Sequence, residues 1–121
     1  MKDKITLVLG ASTKPERFSH SAVKRLVASD YPVFAVGLRE GEIAGIMIHK
    51  PFPDLSGIHT VTLYVGPKNQ SVYYDYILNI NPQRVIFNPG TENAEFENIL
   101  RNQGIQVVRG CTLIMLDNGT Y

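Results

Sequence analysis

Five short runs of β-branched and aliphatic residues, each closed by turn-forming residues, constrain this chain more than any other feature of its sequence. They are residues 5–9 ending at Gly10, 33–36 ending at Gly37, 61–65 ending at Gly66-Pro67, 84–87 ending at Asn88-Pro89-Gly90, and 105–108. Runs this short, bounded by turn signals, read as buried strands. Between them other apolar residues recur at helical spacing. Ala22, Val23, Leu26 and Val27 form one stripe, Val72, Tyr73, Tyr76, Ile77 and Ile80 a second over 69–80, and Phe96, Ile99 and Leu100 a third. Ser19 or Ser21 is placed to cap the first helix, and Tyr31-Pro32, Asn81-Pro82 and Gly104 to stop the three in turn.

Parallel strands need a crossover between neighbours, and right-handed crossovers put helices on both faces of the sheet. The alternation therefore predicts an α/β fold: three layers, Rossmann-like and doubly wound, with a mainly parallel five-stranded sheet in one domain over residues 1–121. Residues 38–58 interrupt the pattern with Gly41, Gly45, Pro51, Pro53 and Gly57, so no full crossover helix is expected there. Ile46-Met47-Ile48 is expected to form a short edge strand. The apolar tail 111–116 has no period that selects its form.

At 44% hydrophobic, 19% charged and net +1, the composition is that of an ordinary globule without bulk attraction for nucleic acid or membrane. No apolar run approaches the length that spans a bilayer. Cys111, the only cysteine, cannot form an internal disulfide, and the chain opens without a signal-peptide pattern; a cytoplasmic protein is expected. Charge is nevertheless uneven: residues 1–39 carry +4 and the remainder −3. That asymmetry suits either a solvated surface or an anion site in the first third.

In a doubly wound sheet, ligands bind outside the carboxyl ends of the strands, where strand order reverses. The turns after the strands are thus the candidates: Gly10 to Arg17, Gly37 to Glu40, Gly66 to Gln70, and Asn88 to Glu92. Gly10, Ala11 and Ser12 let a backbone approach a phosphate, and the helix that follows offers unpaired N–H groups. Ser12, Thr13, Lys14 and Arg17 add side chains to that turn. Neither G-x-G-x-x-G nor G-x-x-x-x-G-K-[ST] is present. After the second strand, Arg39 rather than an acid favours a phosphorylated ribose, hence CoA or NADP over NAD.

The run V-L-G-A-S-T-K-P-E-R at 8–17, followed by Phe18-Ser19 and a helix, resembles the G-A-S-x-K-P-E-R opening of the small stand-alone CoA-binding proteins. That family is similar to the CoA-binding N-terminal domain of the succinyl-CoA synthetase α subunit. The likeness extends to Gly104-Ile105-x-Val107-Val108-x-x-Cys111. It implies that Gly10-Ala11-Ser12 holds the pyrophosphate of CoA, with Lys14 and Arg17 near the phosphates. Where the family commonly has Asn-Pro-Lys after strand two this chain has Gly37-Leu38-Arg39, and for Gln-Leu-Gly after strand four it has Asn88-Pro89-Gly90. The resemblance then puts Arg39 near the adenosine phosphate and Gly90 close to the pantetheine arm.

No catalytic or metal-binding set is expected. His20, His49 and His59 show no paired-ligand spacing, and Ser12 has no assignable histidine base. Cys111 reads as a small buried hydrophobe. Glu92, Glu95 and Glu97 suit the start of a helix dipole. The expected function is a non-catalytic module binding CoA or an acyl-CoA, with NADP as second ligand. It would act as a sensor, a carrier, or a partner of CoA-dependent enzymes. Two alternatives stand beside it: a small enzyme acting on a CoA ester or using NADP, and an interaction protein with a vestigial pocket that uses its helix surfaces for homodimerisation.

Overall fold

The computed structural model describes residues 3–121. Four-residue strands β1 (Thr6–Leu9), β5 (Thr60–Leu63) and β6 (Arg84–Phe87) are buried along their whole length. That is why their sequences, Arg84 apart, are continuous apolar or hydroxyl runs rather than alternations. β2 (Val33–Val36) and β4 (Ile46–His49) lie to one side of them, and β7 (Gln106–Arg109) to the other. β3 (Gly41–Ile43) completes the sheet. The order is β3-β4-β2-β1-β5-β6-β7, with every neighbouring pair parallel except β3 against β4.

Helices α1 (Phe18–Ala28) and α4 (Thr112–Asn118) cover one face, where Val23, Leu26, Met115 and Leu116 pack on Val8, Ala35, Ile48 and Ile86. On the other, α2 (Tyr74–Ile80) and α3 (Ala94–Asn102) bring Ile77, Phe96 and Leu100 against Leu7, Val61, Val85 and Phe87. The three-layer, doubly wound α/β expectation holds.

The strand count does not: the sheet has seven strands, not five. The two extra ones come from the stretch in which glycines and prolines had suggested mostly loop. Ala44 and Gly45, at φ 51° and 84°, make the tight turn of a hairpin, so those breakers connect strands rather than abolish them. Ile46-Met47-Ile48 is indeed a strand, but not the edge; β4 pairs with β2 on one side and β3 on the other. The helix expected over 69–80 begins at Tyr74, preceded by two 3₁₀ turns, Pro67–Asn69 and Ser71–Tyr73. Val72 accordingly points outward and is 67% exposed. Neither Ser19 nor Ser21 caps α1; its N-cap is Arg17, and Ser19 is buried inside the first turn. The apolar tail forms α4, with Cys111 as its half-buried N-cap.

Candidate functional site

Strand order reverses between β1 and β5, since β1 leads through α1 to β2 on one side while β5 lies on the other. All the turns singled out from the sequence leave the carboxyl ends of parallel strands, so they share one rim of the sheet. Gly10 has φ 98°, and a Cβ there would sit 3.0 Å from the carbonyl of Tyr64. Only glycine lets the first turn leave β1 while passing this close to β5.

The first turn is held on its other side by β2. The amides of Gly10 and Ala11 both donate to the Val36 carbonyl, at 2.8 and 2.9 Å. They are therefore spent on the fold rather than offered to a ligand, which corrects the simplest view of a Gly-Ala-Ser phosphate cradle. Lys14 N donates to Ser12 Oγ at 3.1 Å. What remains is the far side of the turn: among the described residues, the amides of Ser12, Thr13, Phe18 and Ser19 find no acceptor. α1 has no side-chain cap and no acid in its first turn. Lys14, Arg17 and Arg39 are exposed and join none of the ion pairs found among the described residues. Unpaired amides at a helix start, with exposed cations on the same rim, are donors and charges of the kind that anions can use.

Other predicted residues serve the scaffold. Gly37 is buried, its amide donates to the His49 carbonyl at 3.0 Å, and a Cβ on it would lie 2.2 Å from the Ala11 carbonyl oxygen. Asn88 is 2% exposed. Its Nδ2 donates to Thr62 Oγ1 and the Leu63 carbonyl, while Oδ1 accepts from the Thr112 amide. Its side chain ties β5, β6 and α4 together, and both of its N–H donors are spent on the fold. Gly90 is exposed, with its amide on Glu92 Oε1. Gly66, Pro67 and Pro89 are exposed on the same rim.

Sequence reasoning missed the brace between the third and fourth turns. Gln70, 1% exposed, donates from Nε2 to the carbonyls of Val65 and Thr91 and accepts from Asn93 Nδ2. Two of its partners, Thr91 and Asn93, lie in the turn after β6, so no local pattern announces it. Asn93 caps α3, with Oδ1 accepting from the Phe96 amide, and its own amide donates to Glu97 Oε2. An asparagine ahead of the acids and the apolar stripe was a readable N-cap signal.

Glu97 is a buried carboxylate, not a surface helix acid; Arg109 Nε donates to both its oxygens at 2.9 and 3.1 Å. Burial pushes its carboxyl up, but the hydrogen bonds from Arg109 and the Asn93 amide, with the charges of Arg109 and Arg101, outweigh that and hold it below the ordinary carboxylate range. A carboxyl depressed in the folded state stabilises fully above its unfolded pKa, and the contribution is lost as pH falls through the folded value. Thermal melts from pH 7 to pH 3 are expected to show the wild-type advantage over Glu97→Gln shrinking below about pH 4. An advantage constant down to pH 3 contradicts the ion pair.

Near the rim, burial pushes the Tyr64 phenol up to about 12, so it stays a neutral hydroxyl. Two recesses, of about 540 and 300 Å³, lie at the opposite, amino-terminal end of the strands. The larger is lined by Asp3, Lys4 and His59, and burial with the charges of Arg84 and Lys4 pushes His59 down. Neither recess includes a predicted site residue, and neither borders an uncapped helix start. No group of histidine, cysteine and acidic residues able to hold a metal occurs among the described residues, and no helix there is long and apolar enough to cross a membrane.

Fold and rim together define an α/β protein of the Rossmann-like class whose first turn keeps unpaired backbone amides. Residues 4–117 match the model of the CoA binding domain family, and the chain belongs to that family. A crystal structure of an uncharacterized protein is 47% identical, with TM-score 0.95 and 98% of each chain covered. A hypothetical protein from Pyrococcus horikoshii OT3 is 29% identical at TM-score 0.82, covering 97% of this chain and 83% of its own. The dinucleotide forming acetyl-coenzyme A synthetase 1 of Ca. Korarchaeum cryptofilum, in complex with phosphate and ADP, shares the fold at 16% identity and TM-score 0.69. The match covers 88% of this chain and 25% of that one. No curated protein matches the chain.

Proposed function

We propose that this protein binds CoA or an acyl-CoA by its phosphates, as a non-catalytic module that senses, carries or presents the cofactor to other enzymes. The observation that carries this reading is the uncapped start of α1, where the free amides of Ser12, Thr13, Phe18 and Ser19 stand beside Lys14 and Arg17. Membership of the CoA binding family supports CoA as the ligand. In this reading the turn takes the pyrophosphate, and Arg39, exposed after β2, takes the ribose phosphate through its planar fork. Gly66, Pro67, Pro89 and Gly90 form the opposite wall, along which the pantetheine arm runs. A lone cysteine suits the reducing cytoplasm in which CoA esters are used.

Binding linkage makes the test direct. At a hundredfold excess over Kd, CoA adds about 2.7 kcal/mol, a rise in Tm of roughly 8 °C for a domain of this size. Dephospho-CoA is expected to raise it less, and Arg39→Ala to narrow the gap between the two. A clear shift with NADP and none with CoA overturns the ligand. An unchanged gap removes Arg39 from its role.

A further inference from the structure

Residues 11 and 13 of the phosphate turn touch the segment that follows β2, and the second of these contacts comes from the hairpin absent from the sequence-based reading. A Cβ built on Gly41, the first residue of β3, would lie 2.5 Å from Thr13 Cγ2, and its next neighbours, Ile48 Cδ1 and Thr13 Cβ, are at 3.9 Å. The φ of Gly41 lies outside the left-handed region. Glycine is therefore needed at this position for room and not for conformation: the bare backbone is the surface on which the Thr13 methyl rests. Gly37 contacts the Ala11 carbonyl in the same way, and Val36 holds the amides of Gly10 and Ala11.

The side chain of Thr13 is thus seated on β3, while its amide and that of Ser12 remain unpaired and available. Where β3 stands decides where those two amides point. We infer that the β3–β4 hairpin is a positioning element of the phosphate turn, acting through the Gly41–Thr13 contact; this rests on the CoA reading above. β3 is an edge strand, paired only with β4 among the described residues, and the hairpin is anchored by Ile43 and Ile48 in the same core cluster that holds Ala11.

The test is a pair of substitutions and their combination. In Gly41→Ala the new methyl must push the Thr13 methyl back by about 1 Å to reach ordinary contact, and misplacement on that scale at a binding group is costly. CoA affinity, measured by calorimetry, is expected to fall by roughly tenfold. Thr13→Ser removes Cγ2, the single close atom, and keeps the amide. Alone it removes the contact that seats the turn and is expected to bind CoA more weakly than wild type; combined with Gly41→Ala, whose methyl takes the room Cγ2 vacates, it is expected to restore most of the lost affinity.

A Gly41→Ala protein that binds like wild type, or a double variant no better than Gly41→Ala, overturns the inference. Backbone amide chemical shifts of Ser12, Thr13 and Lys14, recorded without ligand, separate this from failure of the CoA reading. If wild type binds no CoA, the three shifts are still expected to move in Gly41→Ala and return in the double variant. If they stay put, the positioning role itself is gone.

Discussion

Gly37→Ala is expected to destabilise the protein by about 3–5 kcal/mol, lowering Tm by roughly 10–16 °C, and to abolish CoA binding under conditions where the fold persists. A Cβ at 37 falls 2.2 Å from the Ala11 carbonyl oxygen, 3.2 Å from its carbon and 3.1 Å from Ile48 Cγ2. The obstacle is backbone, which has no rotamer to yield. The strand-to-helix turn must therefore retreat from β2 by about 1 Å, pulling the amides of Gly10 and Ala11 away from Val36. Overpacking costs about 1–3 kcal/mol, and weakening two buried hydrogen bonds adds about 1 kcal/mol each. Unlike Gly41→Ala, no side-chain truncation can relieve it. Urea unfolding at 25 °C measures the effect, and a loss below 1 kcal/mol means the two turns are not packed as described.

Asn88→Ala is expected to be as damaging for the opposite reason, a polar hole rather than a clash. The substitution strips the Thr112 amide of its acceptor and the Leu63 carbonyl and Thr62 hydroxyl of a donor, all of them buried. Thr62 Oγ1 keeps its bond to Thr112 Oγ1 at 2.7 Å, so that hydroxyl is only partly stranded. Each fully unsatisfied buried group costs about 1–3 kcal/mol, giving a total on the order of 3–4 kcal/mol. Pro89→Ala, at the exposed neighbouring position, loses only the turn proline's restraint on the unfolded chain and is expected to cost about 0.4–1 kcal/mol. Guanidinium unfolding of the two variants side by side makes the comparison, and a mild Asn88→Ala would mean that water or a neighbour fills the vacancy.

Both substitutions fall on residues whose types, in the sequence, pointed to a ligand. A glycine after a strand can free space for a phosphate or for another piece of backbone, and at position 37 it does the second. An asparagine at a strand end can face a ligand or stitch three elements together, and Asn88 stitches. Local sequence does not distinguish these, because the partner that decides lies in another strand or helix. Gln70 and Glu97 show the same limit from the other side. Their polar side chains are buried against groups far along the chain, so they carried no sign of their importance.

The residues alone determined the parallel α/β architecture, the strand ends that share one rim, and the basic, small-residue turn that opens it. These follow from periodicity, turn chemistry and the geometry of crossovers, all of which act over a few residues. Only the tertiary structure decided that a seven-stranded sheet is built, that the first two amides of the turn are spent on β2, and that Thr13 leans on an edge hairpin. Those outcomes depend on which backbone groups meet across the sheet, and hydrogen-bond capacity, once used by a distant strand, is no longer available to a ligand.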